Sequence, residues 1–180
     1  NELLIEFRGY YGQQIGPETP IKIITFTFTP TQESSSSQPH VHAIELKLYS
    51  DGGSRGNPGP SACGFVLMDM YDRTLVENGM PLGITTNNQA EYHSLKLGLE
   101  AALDKNASIV HVYMDSMLVI NQMKGIYKVK NSDLVPIHQA VEALVNTFTK
   151  VTFTHVPRER NRRADAIVNR VLDGTSAKTV

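Results

Sequence analysis

Residues 108–125 read SIVHVYMDSMLVINQMKG. From Ser108 to Met114 the run is almost continuously apolar, the composition of a strand covered on both faces, and such strands belong to parallel sheets. It closes on Asp115 and passes at once into MLVINQMKG, which reads as a short helix. Residues 44–51, IELKLYSD, have the same form: a strand-like run that closes on an aspartate, Asp51. In open α/β sheets ligand sites gather beyond the carboxyl ends of adjacent strands, so two neighbouring strands of this kind bring two carboxylates together.

The turn-rich GGSRGNPGP (52–60) follows Asp51, and ACGFVLMD (62–69) and RTLVENGM (73–80) read as an antiparallel meander. TTNN (85–88) is a helix start, with Asn88 three residues before Glu91, and Leu95, Leu99, Ala102 and Leu103 recur at helical spacing. Past the short helix, Ser132 is a candidate cap for a second long helix carrying Leu134, Ile137, Val141 and Leu144, with Pro136 tolerable in its first turn. VTFTHV (151–156) is a fifth strand. A last helix near Asn161 to Leu172 places Ala164, Ile167, Val168 and Val171 on its buried face. Three strands, helix, strand, helices, strand, helix predict an α/β layer structure, a mixed five-stranded sheet flanked by helices.

Ahead of this region, TQESSSSQPHVH (31–42) offers no apolar side for packing and reads as a Ser-rich linker. Residues 1–30 hold two strand-like runs, ELLIEF and IKIITFTFT, separated by a Gly- and Pro-containing turn, and form an N-terminal β-like extension. The main domain is expected over 43–173, with 174–180 as a tail. The 180 residues suffice for one ordinary domain, and 41% apolar with 19% charged residues excludes a disordered polyelectrolyte. No apolar run approaches the roughly 20 residues of a membrane span. A single cysteine, Cys63, excludes an internal disulfide framework, and with no visible signal peptide the expected setting is reducing and cytoplasmic.

The net charge of −1 conceals an asymmetry. Residues 44–123 hold nine acids and five bases, whereas 124–170 hold nine bases and four acids. An acidic part folded against a basic part is what a metal-dependent nucleic-acid enzyme needs, although a charge run is more often a solvated face. Glu91 near the start of its helix and Asp165 beside the apolar face of the last helix can point at the same sheet edge as Asp51 and Asp115. Four convergent carboxylates repel one another by on the order of several kcal/mol unless cations sit between them, and hard oxygen ligands favour Mg²⁺ or Mn²⁺. Each carboxylate also has a local reading. Asp51 can form an Asx-turn, Glu91 a capping box with Asn88, Asp115 a helix cap, and Asp165 an ion pair with Arg162.

Together, YSDGGSRGNPGPSACG (49–64), TTNNQAEYHSLKLGLEAAL (85–103), VYMDSMLVINQMKG (112–125) and THVPRERNRRADAIVN (154–169) closely resemble the four catalytic blocks of type 1 ribonuclease H. The resemblance covers residues 44–173. It implies a ribonuclease H-like fold with the first and fourth strands parallel and adjacent, and it assigns Asp51, Glu91, Asp115 and Asp165 as the metal-binding catalytic quartet. It further implies hydrolysis of the RNA strand of RNA–DNA hybrids with two Mg²⁺ ions, Asp51 being the best candidate to bridge both, and 5′-phosphate and 3′-hydroxyl products. Gly52, Asn57, Asn87, Asn88 and Gln89 match positions that contact substrate, where RNA is told from DNA by its 2′-hydroxyls. Asn57 before Pro58 is equally an ordinary turn residue, and Asn87 or Asn88 an ordinary cap.

Two departures from the best-known members stand out. The basic helix and loop that many insert after the third block is missing, since Met117 leads through Lys124, Lys128 and Lys130 directly to Ser132. The grip on the hybrid therefore falls to those lysines and to the arginines around Asp165. Where many carry a Gly-His loop, this chain has Pro157, Arg158 and Glu159, like the compact archaeal and bacterial subgroup, and Arg158 can stand in for that histidine or be a solvated loop arginine. The spacing of the histidines, among them His40, His42, His93 and His111, does not make ligands of them. The rival readings are a non-catalytic nucleic-acid-binding module on the same fold and the ribonuclease H part of a retroelement polyprotein. Activity on double-stranded RNA, the oligomeric state and the role of residues 1–42 stay open.

Overall fold

The computed structural model describes residues 43–174. The expected N-terminal extension, the linker with His40 and His42, and the tail from 175 lie outside the described residues. Buried and half-buried residues alternate along the first part of β1 (Glu45–Ser54), β2 (Gly59–Asp69) is buried almost throughout and β3 (Thr74–Thr85) is largely exposed, and the three form the expected antiparallel meander. Then come α1 (Asn87–Asp104), β4 (Ile109–Met114), α2 (Met117–Met123), α3 (Val135–Val145), β5 (Lys150–His155), a 3₁₀ turn at Arg158–Arg160 and α4 (Arg162–Leu172). The strands lie in the order β3-β2-β1-β4-β5, with β1 parallel to β4 and β4 parallel to β5. Among the described residues no helix is long and apolar enough to cross a membrane.

Leu46 and Leu48 of β1 and Val110, Val112 and Met114 of β4 share a core with Tyr92, Leu95, Leu99 and Ala102 of α1. Burying a leucine side chain contributes roughly 1.5–3 kcal/mol. Contact is close enough to require glycine at position 98, where an added Cβ would stand 2.4 Å from a methyl of Leu48. α4 packs Ile167 and Val168 against the glycines of β1, β2 and β3. The sheet is thereby held between helices, and the loops at one end are fixed from both sides.

Several local expectations are corrected. β1 does not stop at Asp51 but runs on to Ser54, because β2 keeps pairing with it after β4 has ended. The start of α1 is capped by Thr86, whose Oγ1 accepts the Gln89 N–H at 3.3 Å while the Gln89 side chain accepts the Thr86 N–H at 3.1 Å. Asn88 therefore lies inside the helix. Ser132 does not cap α3: the Asn131 side chain accepts the Asp133 N–H at 2.8 Å, turning the chain early, and buried Leu134 enters the helix without a side-chain cap. Leu103, expected on the buried face of α1, is 41% exposed in the last turn of its helix.

Candidate active site

The last paired residues of β1 and β4 are Tyr49 and Tyr113, whose rings stack with centroids 4.8 Å apart. Asp51 and Asp115 each lie two residues further on. Asp51 is still held by β2 opposite Gly64, so its position is fixed by a ladder on one side and open on the other. Glu91 reaches the same place from the second turn of α1. A Cβ on Gly52 would fall 2.1 Å from the Ala90 carbonyl carbon, so only glycine lets β1 and α1 come this close. The approach lets the Gly52 N–H donate to Glu91 Oε2 at 3.2 Å.

One carboxylate oxygen from each of Asp51, Glu91 and Asp115 lies within 4.8 Å of the others. The cluster opens into a cavity of about 370 Å³ whose lining also includes Asn87, Arg158, Asp165 and Asn169. Asp165, the fourth expected carboxylate, stands on the α4 side of this cavity, outside the close triad. It pairs with Arg158, and its Oδ2 accepts from Asn169 Nδ2 at 3.0 Å.

None of the four local readings describes these carboxylates. Asp51 lies within a paired strand rather than a turn, the α1 box is Thr86 with Gln89, Ser116 Oγ caps α2, and Asp165 pairs with Arg158 rather than Arg162. Burial pushes the Asp51 carboxyl up to about 7, with the charges of Asp115 and Asp165 adding to it. Burial also raises Glu91 well above the usual carboxylate range, reinforced by Asp51 and Asp115. Arg158 is held more firmly protonated by its hydrogen bond to Asp165. Near neutral pH the inner carboxylates therefore either keep a proton or need a cation between them. Hard, acceptor-only oxygens at this spacing suit a divalent ion such as Mg²⁺ or Mn²⁺.

The remaining expected residues divide by what their side chains do. Asn57 Oδ1 accepts the Asn87 N–H at 3.2 Å and ties the β1–β2 turn to the start of α1, at the cavity mouth. Asn88 is exposed on the first turn. Gln89 spends its side-chain oxygen on the cap. Lys128 is exposed on the segment between α2 and α3 and does not line the cavity. His111 bridges Glu45 at 2.5 Å and Thr152 at 2.8 Å across the sheet, and burial lowers the pKa of His93 on α1; neither lines the cavity. Sequence reasoning missed Asn161, a buried side chain that donates to both Ser50 O and Asp115 Oδ1. Its only signal was an asparagine just ahead of a helix, four residues before Asp165.

Residues 49–171 match the family model described as reverse transcriptase-like. The chain is 39% identical over 156 residues to the ribonuclease HI of Halobacterium salinarum, covering 84% of this chain and 76% of that one. It is 39% identical over 134 residues to the bifunctional protein Rv2228c of Mycobacterium tuberculosis, covering 74% of this chain but 37% of that relative's length. A solved structure of LC11-RNase H1 in complex with an RNA/DNA hybrid superposes with a TM-score of 0.68 at 39% identity, covering 72% of this chain and 97% of that one.

Proposed function

Because the chain belongs to the ribonuclease H family, within the reverse transcriptase-like group, we propose that it hydrolyses the RNA strand of RNA–DNA hybrids with the help of Mg²⁺. The observation that carries this reading is the triad of Asp51, Glu91 and Asp115, three carboxylates brought within 4.8 Å of one another. A non-catalytic binding module has no use for like charges buried at such a cost.

Asp51, Glu91 and Asp115 would hold the ions, with Asp165 joining from the α4 side. When bound, a pair of Mg²⁺ ions supplies an activated water and stabilises the leaving 3′ oxygen, giving 5′-phosphate and 3′-hydroxyl ends. Gly52 keeps the Glu91 carboxylate turned toward the cluster through its N–H. Arg158, exposed at the cavity rim, offers the scissile phosphate a positive charge. Asn57, Asn87 and Asn88 would read RNA 2′-hydroxyls, and the exposed Lys124, Lys128 and Lys130 would meet phosphates of the hybrid.

The test is incubation of labelled RNA–DNA hybrid, double-stranded RNA and double-stranded DNA with and without Mg²⁺, with the product ends identified. We expect Mg²⁺-dependent cuts in the RNA strand of the hybrid and intact duplex DNA. Hybrid left whole in Mg²⁺ and in Mn²⁺ would refute the reading, and cutting of double-stranded RNA would widen the substrate class.

A further inference from the structure

Asn161 occupies the N-cap position of α4 and is 1% exposed, yet its side chain makes no capping bond. Asparagine is favoured at that position because its side-chain oxygen accepts an N–H of the first turn. Here Oδ1 finds no partner among the described residues, so capping does not account for the residue. The amide nitrogen is turned the other way. Nδ2 donates to the Ser50 carbonyl at 3.0 Å and to Asp115 Oδ1 at 2.9 Å.

Ser50 is the first residue of β1 beyond the last β1–β4 pair, and Asp115 follows the end of β4. One amide therefore spans the two strands just where their own ladder has stopped. Among the described residues it is also the only hydrogen-bond donor to the Asp115 carboxylate. The same residue sets the turn that carries Asp165, whose N–H donates to the Asn161 carbonyl at 3.1 Å. Asp51 has β2 to fix it and Glu91 has the Gly52 N–H. Asp115 has Asn161.

We propose that Asn161 is a positioning residue, holding the Asp115 carboxylate in register with β1 so that it meets Asp51 and Glu91 as one ligand set. The inference rests on the metal-dependent reading of this site. Fixing one oxygen with a donated hydrogen bond restricts the rotation of the carboxylate and leaves its remaining lone pairs free to accept. Groups that orient a metal ligand in this way typically change metal affinity or activity by about 10–100-fold when removed.

The experiment compares the full chain with Asn161→Ala and Asn161→Ser, the serine keeping a side chain favoured at helix starts but too short to bridge both partners. Mn²⁺ binding by calorimetry should weaken by about 10–100-fold in both variants. Turnover should fall alongside, while KM for the hybrid stays within about threefold, because the amide touches a ligand and not the substrate. Normal Mn²⁺ affinity in a variant that keeps its circular dichroism would overturn the proposal, as would failure of both variants to fold, which would make Asn161 a buttress only. If the parent chain cuts no hybrid but loses Mn²⁺ affinity on Asn161→Ser, the functional reading fails and this inference stands.

Discussion

On the sheet side of the cavity, Asp51 and Glu91 are 7% and 5% exposed, and among the described residues neither forms an ion pair. On the α4 side, Asp165 is a quarter exposed and is neutralised by Arg158. Both halves present carboxylates to one cavity, but only the outer half is electrostatically complete within the protein. A buried charge without a partner costs several kcal/mol by the usual reckoning, so the inner half is stable near neutral pH only with a proton or a cation in place. The chemistry therefore depends most on the inner residues, and four changes separate the two halves.

The largest effect is expected at the inner half. Asp51→Asn should lower hybrid cleavage by about a thousandfold or more while hybrid binding survives, since a ligand to the catalytic ions is removed and not a substrate contact. Asp165→Asn should cost less, measured in the same assay. A greater loss at Asp165 than at Asp51 would invert the assignment of inner and outer roles.

Arg158→Ala should reduce turnover less than Asp51→Asn does and move the acidic limb of the pH–rate profile to higher pH. The sign follows from charge: Arg158 lowers the Asp51 and Glu91 pKa values, so its removal leaves them harder to ionise. An acidic limb that stays in place or moves down would show that Arg158 does not act on the inner half.

The smallest effect concerns the basic segment outside the cavity. Replacing Lys128 and Lys130 together with alanine should weaken hybrid binding several-fold and reduce the steepness of its salt dependence by roughly one to two in the log–log slope, with turnover at saturation unchanged. An unchanged affinity and slope would place the grip elsewhere.

Much of this contrast was legible in the sequence. Asp51 and Asp115 each follow an apolar strand run, and parallel neighbours bring such ends together, so their convergence needed no coordinates. For Glu91 the helix start showed only that it can face the same sheet edge, because its close placement depends on Gly52 allowing β1 and α1 to approach, a tertiary contact without a local pattern. The caps were misread for a related reason. Several polar residues in TTNN and in NSD can serve, and which one does is decided by where the chain enters its helix, as Thr86 and buried Leu134 show. Asn161 was illegible because its side chain turns away from its own helix to partners 111 and 46 residues distant in the chain.

If the inner carboxylates are gathered to hold a metal, thermal unfolding across pH with and without Mn²⁺ will show it. Asp51 is raised from 3.8 to about 7 in the folded chain, and Glu91 is raised too. The folded state therefore binds protons more tightly than the unfolded one over that interval, and the stability this contributes is greatest below pH 4 and is lost as pH rises toward 7. Without metal, the Asp51→Asn variant should therefore unfold at a higher temperature than the parent at pH 8, and the two should converge near pH 4. Saturating Mn²⁺ should raise the parent's Tm at pH 8 by on the order of 5 °C or more, have little effect near pH 4, and have much less effect on Asp51→Asn. A parent Tm at pH 8 indifferent to Mn²⁺, or an equal rise in Asp51→Asn, would mean that these carboxylates do not hold a metal.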